Sequence, residues 1–230
     1  MNLCYIFAME AEAMPIIQSS EILEQRHLGF AKLYKLSYGG RVFYALISGV
    51  GKVLASSSVT AACVKYPEID AYVNLGIGGS MNPERAPLLS AAISTDFYQH
   101  DLDTTGVGDP IAWLSGLNVD HIASDVTLAH KLNDACERLG VKSAFGVMAS
   151  GDQFVTDEQK KRWIVDTFRA LCVDMEAAAY AEICKVYGKP FASLRVISDA
   201  VDHEAEYRLY KNKAIEVMSK IGLALLPLCA

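Results

Sequence analysis

Residues 170–199 read ALCVDMEAAAYAEICKVYGKPFASLRVISD, and their pattern sets the fold class. Ala170–Val173 is a short apolar run of strand length, Met175–Tyr187 has helical spacing, and Phe191–Ile197 is a second apolar run rich in branched residues. Apolar on both faces, such runs fit strands covered on two sides. A strand, a helix and a strand in about thirty residues make one unit of an α/β protein.

The alternation extends outward from this unit. Leu3–Ala8, Ala71–Leu75, Ala91–Thr95 and Ala144–Met148 read as further buried strands. Lys52–Lys65, Asp125–Leu139 with Gly140 just past its end, Asp157–Phe168 and Glu204–Leu226 read as helices. Lys32–Tyr38 and Arg41–Ile47 flank Gly39-Gly40 and predict a β-hairpin with a two-residue turn. No repeat, low-complexity tract or linker interrupts the 230 residues. The expectation is an α/β fold in a single domain over residues 1–230, with a mixed, mostly parallel central sheet flanked by helices.

Composition excludes several function classes. A hydrophobic fraction of 52% against 21% charged residues supports a sizeable core rather than disorder. The net charge of -6 and the lack of a basic patch argue against nucleic acid or an acidic membrane as partner. Lys160-Lys161-Arg162, the densest basic run, reads as a solvated helix face. The opening residues lack the basic region and cleavage site of a signal peptide, and their apolar run is far shorter than the roughly 20 residues that span a bilayer. Six scattered cysteines without a Cys-x-x-Cys pair suit reduced core thiols and a cytoplasmic protein. The five histidines have no ligand spacing, so neither a metal site nor a cofactor is expected.

In open α/β sheets, ligands bind beyond the carboxyl ends of the strands. There the sequence places Met9-Glu10-Ala11-Glu12, Ser48-Gly49-Val50-Gly51-Lys52, Gly76-Ile77-Gly78-Gly79-Ser80, Ser150-Gly151-Asp152-Gln153-Phe154, Asp174-Met175-Glu176 and Ser198-Asp199. Helix capping alone accounts for any one of Glu12, Glu176 or Asp199. Together, with no His or Cys partner, they suit acid/base work on a glycosidic bond: one carboxyl protonates the leaving group, one activates water, and one binds sugar hydroxyls. The glycine clusters match neither the phosphate-loop pattern nor Gly-x-Gly-x-x-Gly, where Met81 holds the last position. They read as tight turns that let backbone approach a ligand or a neighbouring strand.

The ordered segments Ala8–Glu12, Ser48–Val53, Ser150–Phe154, Val173–Ala177 and Arg195–Asp199 resemble the 5'-methylthioadenosine/S-adenosylhomocysteine nucleosidase family of the nucleoside phosphorylase/hydrolase superfamily. The resemblance spans nearly the whole chain. It implies a homodimer and hydrolysis of methylthioadenosine and S-adenosylhomocysteine to adenine and a 5'-substituted ribose, with 5'-deoxyadenosine as a further substrate. By the same resemblance Asp199 is the general acid at adenine N7, oriented by Ser198, and a donor carboxyl must hold its proton near neutral pH. Glu12 is implied as the base for water, with Arg195 positioning that water. Glu176 would accept the ribose hydroxyls, Met175 would pack under the sugar and Met9 would line the 5' pocket. Phe154 would stack on adenine, the Val155 backbone would read its edge, and Gly78 would approach the substrate. Each has a bland counterpart: Met9, Phe154 and Met175 as core, and Arg195 as partner of a structural acid.

Two departures stand out. Ile77 occupies a position where the family carries Ser. Asp103–Pro110 is polar where the family is apolar and closes the partner's pocket, leaving Trp113 as a candidate wall. A phosphorylase is disfavoured, because neither the first-strand loop nor the Gly76–Ser80 turn offers an arginine for phosphate, and Glu12 would repel the dianion. Three rival functions stay open at this point. They are a futalosine hydrolase acting on a 6-oxopurine nucleoside, another purine nucleoside hydrolase of the same fold, and a non-catalytic nucleoside-binding protein.

Overall fold

The computed structural model describes residues 1–200 and 203–229. In chain order the elements are β1 (Leu3–Phe7), α1 (Glu10–Gln18), β2 (Glu21–Leu28), β3 (Ala31–Tyr38), β4 (Arg41–Ile47), α2 (Lys52–Lys65), β5 (Ala71–Ser80) and β6 (Ala91–Gln99). Then follow β7 (Ile122–Ala123), α3 (Val126–Arg138), β8 (Ser143–Ser150), α4 (Glu158–Phe168), β9 (Ala170–Asp174), α5 (Ala177–Val186), β10 (Phe191–Asp199) and α6 (His203–Leu225).

The strands form one sheet in the order β10-β6-β8-β9-β5-β1-β4-β3-β2, with β7 added to β6. An additional pairing of β10 with β5 closes β5, β10, β6, β8 and β9 into a ring. From β5 the sheet runs outward through β1, β4, β3 and β2 as an open wing. The single α/β unit and its mixed sheet match expectation, but a parallel majority does not. Pairs β1–β4, β1–β5, β5–β10, β6–β8 and β8–β9 are parallel. Pairs β2–β3, β3–β4, β5–β9, β6–β7 and β6–β10 are antiparallel. An apolar run reports burial on both faces, and ring closure buries antiparallel neighbours just as fully.

The Gly76–Ser80 stretch is also corrected, since it continues β5 rather than turning. Its glycines serve close approach. A Cβ on Gly76 would lie 2.0 Å from Arg195 Nη1, and one on Gly78 would lie 2.8 Å from Cys172 Sγ. Gly49 and Gly51, both at φ +91°, do turn the chain sharply from β4 into α2.

Helices cover the sheet in layers. Residues of α1, α3 and α6, including Ile16, Leu132 and Met218, pack with Tyr5, Phe7 and Leu75. On the other side α2 and α5 bring Val59 and Tyr180 against Cys4, Ile6 and Tyr72. Ile164 and Phe168 of α4 cover Val173 of β9. Each such fully buried large side chain contributes about 1.5–3 kcal/mol by leaving water. The buried Tyr5 hydroxyl donates to the Gly222 carbonyl at 2.6 Å, which ties β1 to α6 and satisfies the phenol. All six cysteines are buried free thiols.

Candidate active site

A cavity of about 730 Å³, including its open mouth, lies where the ring meets the wing. Met9, Glu12, Gly78, Phe154, Val155, Met175, Glu176, Arg195, Ser198 and Asp199 all line it. Separate chain segments therefore deliver these ten residues, all expected from the sequence, to one place.

Glu12 sits in the first turn of α1 and is 1% exposed. Its Oε2 accepts the Met9 N–H at 2.9 Å, the local bond expected of a first-turn acid. Its Oε1 accepts the Ile77 N–H of β5 at 3.0 Å. Capping and docking on the ring thus coexist in one side chain. Burial raises the Glu12 pKa, opposed by the Arg195 charge and by backbone hydrogen bonds. A carboxylate so raised is a stronger base than one in water. Ile77 contributes through its backbone, while its side chain joins the core.

Glu176 begins α5 as its N-cap residue, yet its side chain makes no capping bond. It turns into the cavity, 4% exposed, where Oε1 accepts the Gly51 N–H at 3.0 Å and Oε2 lies 3.5 Å from Arg195 Nη2. Asp174 does the capping, accepting the Ala177 N–H at 3.2 Å on Oδ2 and 3.3 Å on Oδ1. Burial, opposed chiefly by Arg195, pushes Glu176 up to about 7.

Arg195 projects from β10 opposite Gly76, the residue whose missing side chain makes room for it. It is 1% exposed, and its Nη2 pairs with Asp174 Oδ2 at 2.5 Å. Burial alone would lower its pKa, but Asp174, Glu176 and Glu12 outweigh that and keep it charged. The buried Nε makes no hydrogen bond among the described residues. Pairing with a structural acid, the bland reading of Arg195, is therefore present alongside its contact with Glu176.

Ser198 and Asp199 end β10. Its register against β5 shifts between Ile197 and Asp199. An unbroken strand sends consecutive side chains to opposite faces, and the shift lets both line the cavity. Ser198 Oγ donates to Asp199 Oδ1 at 2.6 Å, and Asp199 is 2% exposed. At the mouth, half-exposed Phe154 meets Tyr207 of α6 edge to face, with centroids 5.4 Å apart.

The sequence gives Asp174 no role and Gly76, like Gly51, only a part in a tight turn of close approach, and it leaves Val50 and Tyr207 without roles. The first two matter through Arg195, and the Arg-carboxylate pairing of β10 with β9 is not visible in local pattern. Tyr207 lines the cavity from a helix whose start gives no sign of facing a strand edge. The polar 103–110 stretch is largely exposed and forms a 3-10 turn at Thr105–Val107. Trp113 lines a separate depression with Asn118, His121 and Lys185.

Chemically, the arrangement sets four buried carboxyl groups, those of Glu12, Asp174, Glu176 and Asp199, around an apolar cavity with one guanidinium already engaged by two of them. Such a site favours developing positive charge and disfavours an incoming dianion. A family model for the phosphorylase superfamily matches residues 2–228. A 5'-methylthioadenosine/S-adenosylhomocysteine nucleosidase of Bacillus thuringiensis is 31% identical, over 89% of this chain and 88% of its own. An aminodeoxyfutalosine nucleosidase of Campylobacter jejuni is 28% identical over 90% and 89%. A Helicobacter pylori nucleosidase mutant, solved with 5'-methylthioadenosine in its active site, superposes with a TM-score of 0.92 at 23% identity over 99% of this chain and 98% of its own. The chain belongs to the phosphorylase superfamily and, within it, to the nucleosidase family that these relatives represent.

Proposed function

We propose that this protein hydrolyses the N-glycosidic bond of 5'-methylthioadenosine and S-adenosylhomocysteine, releasing adenine and a 5'-substituted ribose, with 5'-deoxyadenosine as a further substrate. The observation that carries this reading is the convergence of Glu12, Glu176 and Asp199 on one cavity, where Arg195, the only lining arginine among the described residues, is already paired with acids. In the proposed reaction Asp199, held by Ser198, protonates adenine N7 as the bond stretches. Glu12 draws the proton from a water on the opposite side, and that water also meets the uncommitted Arg195 N–H. Glu176 accepts the ribose hydroxyls, and its negative neighbours favour the oxocarbenium-like transition state. Phe154 stacks on adenine, the Val155 backbone reads its edge, Met175 and Met9 pack on the sugar and the 5' group, and Gly78 lets the chain approach closely.

Water rather than phosphate is the acceptor in this reading, because a phosphate would face Glu12 without a free guanidinium. The proposal extends to a cytoplasmic homodimer serving methionine salvage; among the described residues no helix is long and apolar enough to cross a membrane. A second reading, cleavage of a futalosine-type nucleoside, is favoured by the Campylobacter relative's name. The deciding experiment measures free base from methylthioadenosine, S-adenosylhomocysteine, 5'-deoxyadenosine, futalosine and aminodeoxyfutalosine, with and without phosphate. Phosphate-independent adenine release from the first two is expected. Release confined to the futalosines would replace the primary reading, and sedimentation yielding only a fully active monomer would remove the dimer.

A further inference from the structure

Next to the cavity, three side chains close a ring of hydrogen bonds that no catalytic role accounts for. Lys52 Nζ pairs with Asp101 Oδ1 at 2.6 Å. Asp101 Oδ2 accepts the Asp152 N–H at 2.8 Å. Asp152 Oδ1 accepts the Lys52 backbone N–H, also at 2.8 Å, which completes the circuit. Lys52 Nζ further donates to Gln99 Oε1 at 2.9 Å, and Gln99 Nε2 donates to Glu182 Oε2 at 2.6 Å, anchoring the ring to α5. The side chains of Lys52 and Asp101 are 18% and 21% exposed where they pair, while Asp101 and Asp152 as whole residues lie at the surface. Burial pushes the Asp101 carboxyl up, but the Lys52 ammonium and the Asp152 amide overcome it and hold it below its ordinary range.

Each corner of the ring belongs to a different segment beside the site, Lys52 being the first residue of α2. Lys52 follows Gly51, whose N–H holds Glu176 Oε1. Asp152 precedes Phe154 and Val155, which line the cavity. Asp101 follows β6, which stays paired with β8 as far as Gln99 and Ser150, where the His100 N–H also bonds the Ser150 carbonyl at 2.9 Å. His100 packs so tightly on Gly151 that a Cβ there would lie 2.3 Å from the imidazole. Asp101 is thus a hub on a well-fixed strand end, joined by hydrogen bonds to both of the turns that flank the cavity.

We propose that Lys52, Asp101 and Asp152 are positioning residues, whose ring sets the loop presenting Gly51 to Glu176 and the loop presenting Phe154 and Val155 in one fixed relation. The ring makes binding of sugar and base cooperative: with the turns locked, neither end of the nucleoside has to order its own loop. It touches neither Glu12 nor Asp199, so it acts on substrate affinity rather than on the proton transfers. This inference rests on the nucleosidase reading for its kinetic consequence and on geometry alone for the locking.

The test uses Lys52→Met, Asp101→Asn and the double variant of the full chain, with Lys52→Arg as the charge-keeping control. KM for methylthioadenosine is expected to rise about ten-fold in each single variant while kcat changes less than about three-fold, the split that marks lost binding rather than lost chemistry. The double variant is expected to resemble the worse single variant, because both remove the same ring. Lys52→Arg is expected to recover most of the affinity. Backbone amide exchange is measured on the same proteins without substrate, with faster exchange expected at residues 50–53 and 151–155. That readout survives even if the wild-type protein releases no adenine, an outcome that overturns the functional reading and leaves the locking intact. Unchanged amide exchange in Asp101→Asn overturns the ring, as do additive losses in the double variant or a fall in kcat at constant KM.

Discussion

The closed ring of strands and the open wing both bring carboxylates to the cavity, and they fix them by different means. On the ring, Asp174 and Glu176 lie against the buried Arg195 guanidinium, so their charges depend on one another. The wing delivers Glu12 through α1, and two backbone N–H groups, from Met9 and Ile77, hold its oxygens. Backbone donors neither titrate nor vary with side-chain identity. The comparison separates two tasks: a cation-centred cluster in which stability and sugar binding are entangled, and a base held by backbone donors that feels the same cation through its charge but makes no ion pair with it.

Substitutions can break this contrast in order of effect. Asp199→Asn and Glu12→Gln remove one proton carrier from each side and are expected to lower adenine release by about 10²–10⁴-fold each. Circular dichroism should report a native fold in both, and near-wild-type turnover in either would refute its assigned role. Arg195→Met strikes the ring cluster first and takes from Glu12 only the charge that opposes its burial. It leaves Asp174 and Glu176 buried without their cation, and a loss of about 3–5 kcal/mol in denaturant unfolding is expected. If Arg195→Met unfolds no more readily than Glu12→Gln, the ring cluster is not held by its cation.

Titration sharpens the contrast further. Glu176 is pushed up to about 7 from an ordinary 4.5, so the folded chain binds that proton more tightly than the unfolded chain does. Its stabilising contribution is therefore complete below the unfolded value and lost as pH rises through the folded one. Unfolding midpoints compared at about pH 5 and about pH 8 should fall in the wild type and fall less in Glu176→Gln, which cannot ionise. Glu12, also raised, must be deprotonated to act, so kcat/KM is expected to decline as acid titrates it. The smallest effect belongs to the rim. Phe154, 49% exposed, should cost about 1 kcal/mol of substrate affinity when changed to Ala, read as a KM increase of several-fold.

Much of this organisation was legible in the chain itself. Arg41–Ile47 and Lys52–Lys65 have the boundaries that their turn glycines and periodicity predict, and the strand expected over Lys32–Tyr38 begins one residue earlier, at Ala31. Elements with weak patterns were not. Helix α1 is short and contains Pro15, and β2 carries Glu21, Glu24, Arg26 and His27 with most of its side chains exposed, so neither has a clear apolar period. Strand β5 runs five residues beyond Leu75 through glycines that locally mean turn. Glu12, Phe154 and Glu176 were readable because each follows a strand, and Ser198 and Asp199 because they end one. Their supports were not: Asp174 is defined by its pairing with Arg195, and Gly76 by the space Arg195 occupies, both products of tertiary register.

Closing five strands into a ring also settles where another molecule's strand could add. The ring has no border, so the long unpaired margin of the described sheet is the outer side of β2, at the far end of the strand order. That margin carries Glu21, Glu24 and Arg26, and its register slips between Ile22 and Glu24. Charge and irregularity both discourage edge-to-edge stacking. The chain's exposure to fibre formation is thereby concentrated in one eight-residue strand remote from the chemistry, where polar-to-apolar drift would endanger solubility while leaving the catalytic groups intact.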